Sequence, residues 1–268
     1  MIFVARNPRA GLAVCFLLLF SSRAAALEWV GGLDSREQAE TLLTRYSQNL
    51  AQHPNQASVH VQRGNIHFLM HDFDSAIWDF SKALDLDSTM DLAYFGRGMA
   101  HGRNGEIDAG INDLTVYIKR HPDSSLAFTK RGVRYLWKGD RMQARADLSK
   151  AVALNPRNAE AHDDLGVVYA LDEKPAKAIQ HFRTTIKIDP SYQKAYHNLA
   201  MAYFITGNGA VALPVVDQAL AMRPNDRNAL LLKAQVLDSL GRAGEAKMAR
   251  DEAEFLPEGN WSERISIQ

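Results

Sequence analysis

The chain repeats itself every 34 residues, and no other feature constrains its fold as much. From 57 to 260 the register holds without insertion or deletion. Gly132 steps back to Gly98 and Gly64, and forward to Gly166, Ala200 and Ala234. Pro156 maps to Pro122, Pro190 and Pro224. Ala144 maps to Ala76, Gly110, Ala178, Ala212 and Ala246, all small. A chain with a fixed period of this length folds as a row of like units, each burying its apolar face against its neighbours rather than in one central core.

The period defines units 57–90, 91–124, 125–158, 159–192, 193–226 and 227–260. Each reads as two helices, over roughly unit positions 2–14 and 18–31, with a turn between them that is often marked by glycine. At 100° per residue, positions 4, 7, 8 and 11 of the first helix share one packed arc, and positions 2, 5, 6, 9, 12 and 13 share the opposite one. Position 8 is Gly four times and Ala twice. A mid-helix glycine costs about 1 kcal/mol against alanine, so close approach of the partner helix is the expected compensation. Position 24 of the second helix is large and apolar in Phe80, Leu114, Leu148, Phe182 and Val216, and becomes Arg250 in the last unit. Pro214 falls inside a second helix, where its ring opposes the carbonyl four residues back, so a bend or a late start is expected. Arg63, Arg97 and Arg131 share position 7, and Asp79, Asp113 and Asp147 share position 23. Units with one have the other, which predicts contacts between the helices of a pair.

Gly166, Tyr169, Ala178, Phe182 and Pro190, with their counterparts at 34-residue steps, resemble the tetratricopeptide repeat. The resemblance implies an all-α, right-handed superhelical solenoid of antiparallel helix pairs. First helices would line the concave face, and that groove would bind a protein or peptide. Arrays of this family that grip chaperone C-termini carry Lys and Gly-Asn on the leading helix, then Asn and Lys/Arg in the next two. Here Gly64-Asn65 matches, but Val61, Gly96 and Leu126 break that clamp, although Lys130 stands where its final basic residue belongs.

The flanks read differently. Arg6 and Arg9, the apolar run Gly11–Phe20 and Ala24-Ala25-Ala26 have the form of a secretory leader over 1–26. The run is about half of the ~20 residues that a spanning helix needs. Residues 27–56 read as a linker and an N-terminal capping helix started by Asp34 or Ser35, and 261–268 as a tail. The single cysteine, Cys15, falls in the leader, so neither disulfides nor thiol chemistry are expected in the mature chain. Removing the leader takes Arg6, Arg9 and Arg23 from 31 basic residues and none from 31 acidic ones, leaving −3. There is no basic excess for nucleic acid. The reading is a periplasmic or secreted adaptor, similar in outline to arrays that gather cell-wall enzymes. A self-associating module peripheral to the envelope is the alternative.

No catalytic constellation, cofactor or metal site is expected. Gly207-Asn208-Gly209-Ala210-Val211-Ala212 has the spacing of a dinucleotide loop but lacks the preceding strand. Ser191–Lys194 spells SxxK without its companion motifs. His60, His67 and His71 could suggest a metal, but His67 and His101 share the unit position of Tyr135, Tyr169 and Tyr203, which makes His67 a packing residue first. Glu160, Asp163 and Asp164 read as an acidic, solvated groove patch. The candidate groove residues are Asn65, Phe95, Met99, Lys130, Val133, Trp137, Asp163, Asp164, Lys194, His197 and Asn198. Phe95 and Met99 are expected to form an apolar floor edged by Lys130, and Trp137 to pack on the next unit.

Overall fold

The computed structural model describes residues 35–256. The expected leader, the start of the linker and the tail lie outside them. Among the described residues, α1 (Arg36–Gln52) comes first and helix pairs follow: α2 (Ala57–Leu69) with α3 (Phe73–Leu86), and α4 (Asp91–Arg103) with α5 (Ile107–Arg120). Then come α6 (Ser125–Lys138) with α7 (Arg141–Leu154), and α8 (Ala159–Leu171) with α9 (Pro175–Ile188). The row ends in α10 (Gln193–Ile205) with α11 (Gly209–Met222), and α12 (Arg227–Ser239) with α13 (Ala243–Glu254). Each helix packs on the one before and the one after it, and α1 covers α2. Successive first helices also touch one another, from α2 through α12, while successive second helices stand further apart. The row therefore curves toward its first helices, which form the inner face.

Local chemistry places the boundaries. Ser35, Asp72, Ser124, Asp140, Asn158 and Asp226 each accept a hydrogen bond from the amide three residues on. Such caps satisfy amides that the first helical turn leaves open. The turn inside each pair has a left-handed residue at unit position 15. Gly105, Gly139, Gly207 and Gly241 take it with φ of 73–86°, but so do His71 (φ 63°) and Glu173 (φ 57°). The sequence marks only the glycines. His71 and Glu173 adopt the strained conformation because the rest of the turn dictates it.

The glycines at position 8 are explained by contact. A Cβ at Gly64, Gly98, Gly132 or Gly166 would lie 3.1, 3.0, 2.8 or 2.5 Å from the side chain of Phe80, Leu114, Leu148 or Phe182. Where position 8 is Ala200, the residue opposite shrinks to Val216, and both are buried. The volume at this crossing is conserved by exchange between the two helices.

The predicted arginine–aspartate pairs form in all three units. Arg63 donates to both carboxylate oxygens of Asp79 at 2.8 and 2.9 Å, Arg97 to Asp113 at 2.7 and 2.8 Å, and Arg131 to Asp147 at 2.7 Å twice. Each arginine also reaches back to a hydroxyl on the preceding second helix: Ser47 at 3.2 Å, Ser81 at 3.2 Å and Thr115 at 3.0 Å. One guanidinium thus ties three helices. In the last pair, Lys233 at the same position turns instead to Asp217 of α11, 2.8 Å away.

Pro214 corrects an expectation in part. It lies within α11, yet the helix starts at Gly209, the same unit position at which the other second helices start. The late start does not occur. Packing of Ala212, Val216 and Ala219, all buried, holds the turn despite the missing amide.

Candidate functional site

Positions 2, 6, 9 and 13 lie on one stripe of each first helix, since each step between them is three or four residues. On α6, α8 and α10 these stripes face the inner side of the row. Apart from Leu126 on α6, their N-terminal halves are charged or polar: Lys130, Glu160, Asp164, Lys194 and Asn198. Their C-terminal halves are apolar: Val133 and Trp137, Val167 and Leu171, Met201 and Ile205.

The charged half is paired across neighbouring helices. Lys130 Nζ donates to both oxygens of Glu160 at 2.6 and 2.7 Å. Lys194 Nζ meets Asp163 at 3.1 Å and Asp164 at 3.2 Å, and Asn198 donates to Asp163 at 3.0 Å. Burial acts against ionisation of Glu160, but Lys130 holds its carboxyl below the usual range. Burial pushes Asp164 up to about 6, with Lys194 opposing and Glu160 and Asp163 adding to the rise. The Lys194 ammonium is buried too, yet Asp164 and Asp163 hold its pKa above the usual lysine range. Burial, then Asp163 and Asp164, push the Tyr192 phenol up, and burial lowers His197. This band stitches α6 to α8 and α8 to α10.

Several expectations change here. Asp163 and Asp164 are buried ion-pair partners rather than a solvated acidic patch. Phe95 is 2 % exposed, its ring 5.0 Å from that of Tyr117, so it packs between helices and offers no groove floor. Met99 is buried as well, and its Sδ accepts from Arg134 at 3.3 Å. Asn65 and His197 are half-buried, and Asn65 Oδ1 has no hydrogen-bond partner. Trp137, by contrast, stays accessible as a groove residue should: it is 47 % exposed, and Leu171 and Ile205 at the same unit position are 50 % and 58 % exposed.

Two features escaped the sequence reading. The run Trp137, Leu171, Ile205 at position 13 was legible in the period, but each residue alone reads as packing. Arg134 sits at position 10, which holds Ile66, Ala100, Val168, Ala202 and Val236 elsewhere. That departure, facing Gly102 on the previous first helix, was a visible signal. The remaining histidines have structural settings. His60 Nδ1 lies 2.8 Å from Asp79, and His162 Nδ1 accepts from His181 Nδ1 at 3.0 Å while its Nε2 donates to the Pro156 carbonyl at 3.2 Å. Among the described residues no group of three or more His, Cys, Asp or Glu side chains is gathered as metal ligands would be, and no helix is long and apolar enough to cross a membrane.

Models of the tetratricopeptide repeat match residues 129–192 and 169–236. Within 129–236 the chain therefore carries tetratricopeptide repeats, and the helix pairs on either side continue the same fold. Solved structures share the fold. The anaphase-promoting-complex assembly Cut9–Hcn1 matches with a TM-score of 0.72 and 21 % identity over 80 % of this chain, which spans 43 % of the matched chain's length. A tetratricopeptide repeat protein from Parabacteroides merdae matches at 0.68 and 17 % identity, covering 86 % of this chain and 90 % of the other. PilW, a type IV pilus biogenesis factor, matches at 0.68 and 18 % identity, covering 74 % and 92 %. No curated protein matches in sequence.

Proposed function

We propose that the array holds a protein partner through a segment laid along its inner face, anchored on the apolar band of α6, α8 and α10. The observation that carries this reading is the exposure of Trp137, Leu171 and Ile205 in one row, beside a charged band whose members already satisfy one another. Water gains little from the paired charges and loses much from the apolar row, so the row is where burial by a partner is favourable. A solved array of the same fold, YrrB, is described as having an unusual peptide-binding site, and it matches at a TM-score of 0.53 and 22 % identity. We place the work of this scaffold outside the cytoplasm, on the form of residues 1–26. N-terminal sequencing of the exported protein should begin at Leu27, and an intact Met1 on a cytoplasmic protein would end that part.

The groove is tested by Trp137→Ala and Leu171→Ser, alone and together. Both side chains are about half exposed, so the helices should survive, which far-UV circular dichroism checks. A partner recovered from an extract with the purified chain should lose roughly tenfold in affinity for each anchor removed. Unchanged affinity in the double variant would move the site off the inner face.

A further inference from the structure

The outer side of the first helix pair breaks the period. Trp78 stands at unit position 22, where the other units have Asn112, Ala146, Gln180, Pro214 and Met248. It is 51 % exposed, and Leu86, further along the same side of α3, is 41 % exposed. Beside them a cleft of about 560 Å³ opens between α1 and α3, lined also by Leu50, Ala51 and Pro54. A second hollow, about 410 Å³, borders Trp78 toward the start of α3, along Asp74 and Ser75. The Trp78 ring meets the edge of His60 at 5.8 Å, with Arg63 and Lys82 each 5.8 Å from its centroid. Half of the residue is still left in water, where an aromatic side chain contributes least.

The next unit closes the same place. There Arg120 takes the position of Leu86. It donates to Asp91 at 2.6 Å and to the Ser88 carbonyl at 3.3 Å, and its guanidinium lies 5.1 Å from the Tyr94 ring. The first unit has Leu86 for Arg120 and Ala57 for Asp91, so it has neither this cover nor its anchor.

The open patch complements itself. It offers a projecting indole and, next to it, an apolar cleft of a size that accepts such a group. Lys82 and Asp85 lie on the same stripe of α3, both exposed and 3.5 Å apart. A two-fold axis crossing α3 near Ala83 sets two copies of the helix antiparallel. Lys82 then faces Asp85 of the second copy, and Trp78 faces its Leu86 and the cleft behind it. Each contact occurs twice. A parallel arrangement would instead set Lys82 on Lys82 and Asp85 on Asp85, which like charges disfavour.

We infer that the chain forms a two-fold dimer through the outer side of α3, each Trp78 entering the cleft between α1 and α3 of the other copy. The occupant is a second copy because the patch supplies both the ring and the cleft, and both signs of charge, in matching order. The cleft lies on α1 and α3, whereas the inner face is built from the first helices, so the dimer leaves both inner faces open. Two such faces on one particle can hold a partner at two points and lengthen its residence without any new contact. The dimer does not rest on the inner-face reading, and either can fail alone.

Sedimentation equilibrium over roughly a thousandfold range of concentration tests it, with far-UV circular dichroism to check the fold of each variant. The parent should pass from monomer to dimer. Trp78→Ala should raise the dimer dissociation constant at least roughly a hundredfold, since a two-fold contact loses its anchor twice. Lys82→Glu and Asp85→Lys should each weaken the dimer, and an equal mixture of the two variants should restore it, because opposite charges then meet at both contacts. Damage to the fold would give no such recovery. A parent that stays monomeric throughout, or a dimer indifferent to Trp78→Ala, would overturn the inference. Charge variants that fail to recover on mixing would overturn the two-fold arrangement and the inference with it.

Discussion

Replacing Asp147 by Val, Arg131 by Leu, and both together asks what the arginine–aspartate pairs contribute. The chain itself supplies the double replacement, as Leu199 and Val215 at the same two positions of the fifth unit. In the sixth-to-seventh helix pair, the Arg131 side chain is 16 % and the Asp147 side chain 7 % exposed, and two N–H···O bonds of 2.7 Å join them. Asp147→Val strands a guanidinium that keeps its 3.0 Å bond to Thr115. Loss of a partner from a buried pair costs about 3–5 kcal/mol, and the retained bond sets this variant at the low end, about 3. Arg131→Leu strands the more deeply buried carboxylate and should cost about 4. The double variant removes both charges together and should lie within about 1 kcal/mol of the parent. Urea unfolding followed by far-UV circular dichroism measures all three. For a chain of this size the single variants should melt roughly 6–16 °C lower. Single costs below about 1 kcal/mol, or effects that add to within about 0.5, would refute the reasoning and make the pairs equivalent to surface salt bridges.

Glu173→Gly relieves a left-handed residue at φ 57° and should stabilise by about 0.5–1 kcal/mol, the strain relief exceeding the added freedom of the unfolded chain; a lower melting temperature would count against it. Gly166→Ala sets a Cβ 2.5 Å from the Phe182 ring and should destabilise by about 1–3 kcal/mol in spite of better helix propensity, while adding Phe182→Val should recover part of the loss, as Ala200 and Val216 coexist; no recovery in the double variant would sink the size-exchange argument. Burial, with His162 and Lys177, lowers His181 from 6.5 to about 4, so its contribution is complete above pH 6.5 and fades as pH falls toward 4; His181→Val should flatten stability across that window, and an unchanged profile would contradict it.

What the sequence made legible is what the period enforces. Position 8 against position 24 and the arginines against the aspartates are contacts inside one helix pair, and each recurs often enough to be read by comparison within the chain. The left-handed turn was read from glycines, but His71 and Glu173 show that tertiary context imposes it where the residue type does not ask for it. The inner face was harder. Helical angle placed Phe95, Met99, Lys130, Trp137, Asp163 and Asp164 on one arc, yet angle alone does not say how far the next helix reaches. The neighbour buries position 5, where Phe95 and Asp163 lie, and leaves position 13 open at Trp137, Leu171 and Ile205. That difference depends on how the first helices are spaced and tilted, which no spacing in the sequence records.

The departures from the period carry the functional argument. Residues that repeat, such as the small side chains at positions 3 and 8, hold the row together and would serve any partner or none. The inner face breaks the repeat in a confined stretch, from Gly102 and Arg134 through Glu160 and Asp164 to Lys194 and Asn198. Some of these breaks compensate one another, as Lys130 does for Glu160 at 2.6 Å. Arg134 has no carboxylate paired with it, and it lies 5.0 Å from the half-exposed Trp137 ring. Folding alone would favour an apolar residue there, as the other units have. A row of units can tolerate one such local cost because each unit answers mainly to its neighbours. The inner face can therefore differ at its α4 end from its α10 end without disturbing the helices that build it, and a segment bound as proposed would meet different chemistry at its two ends.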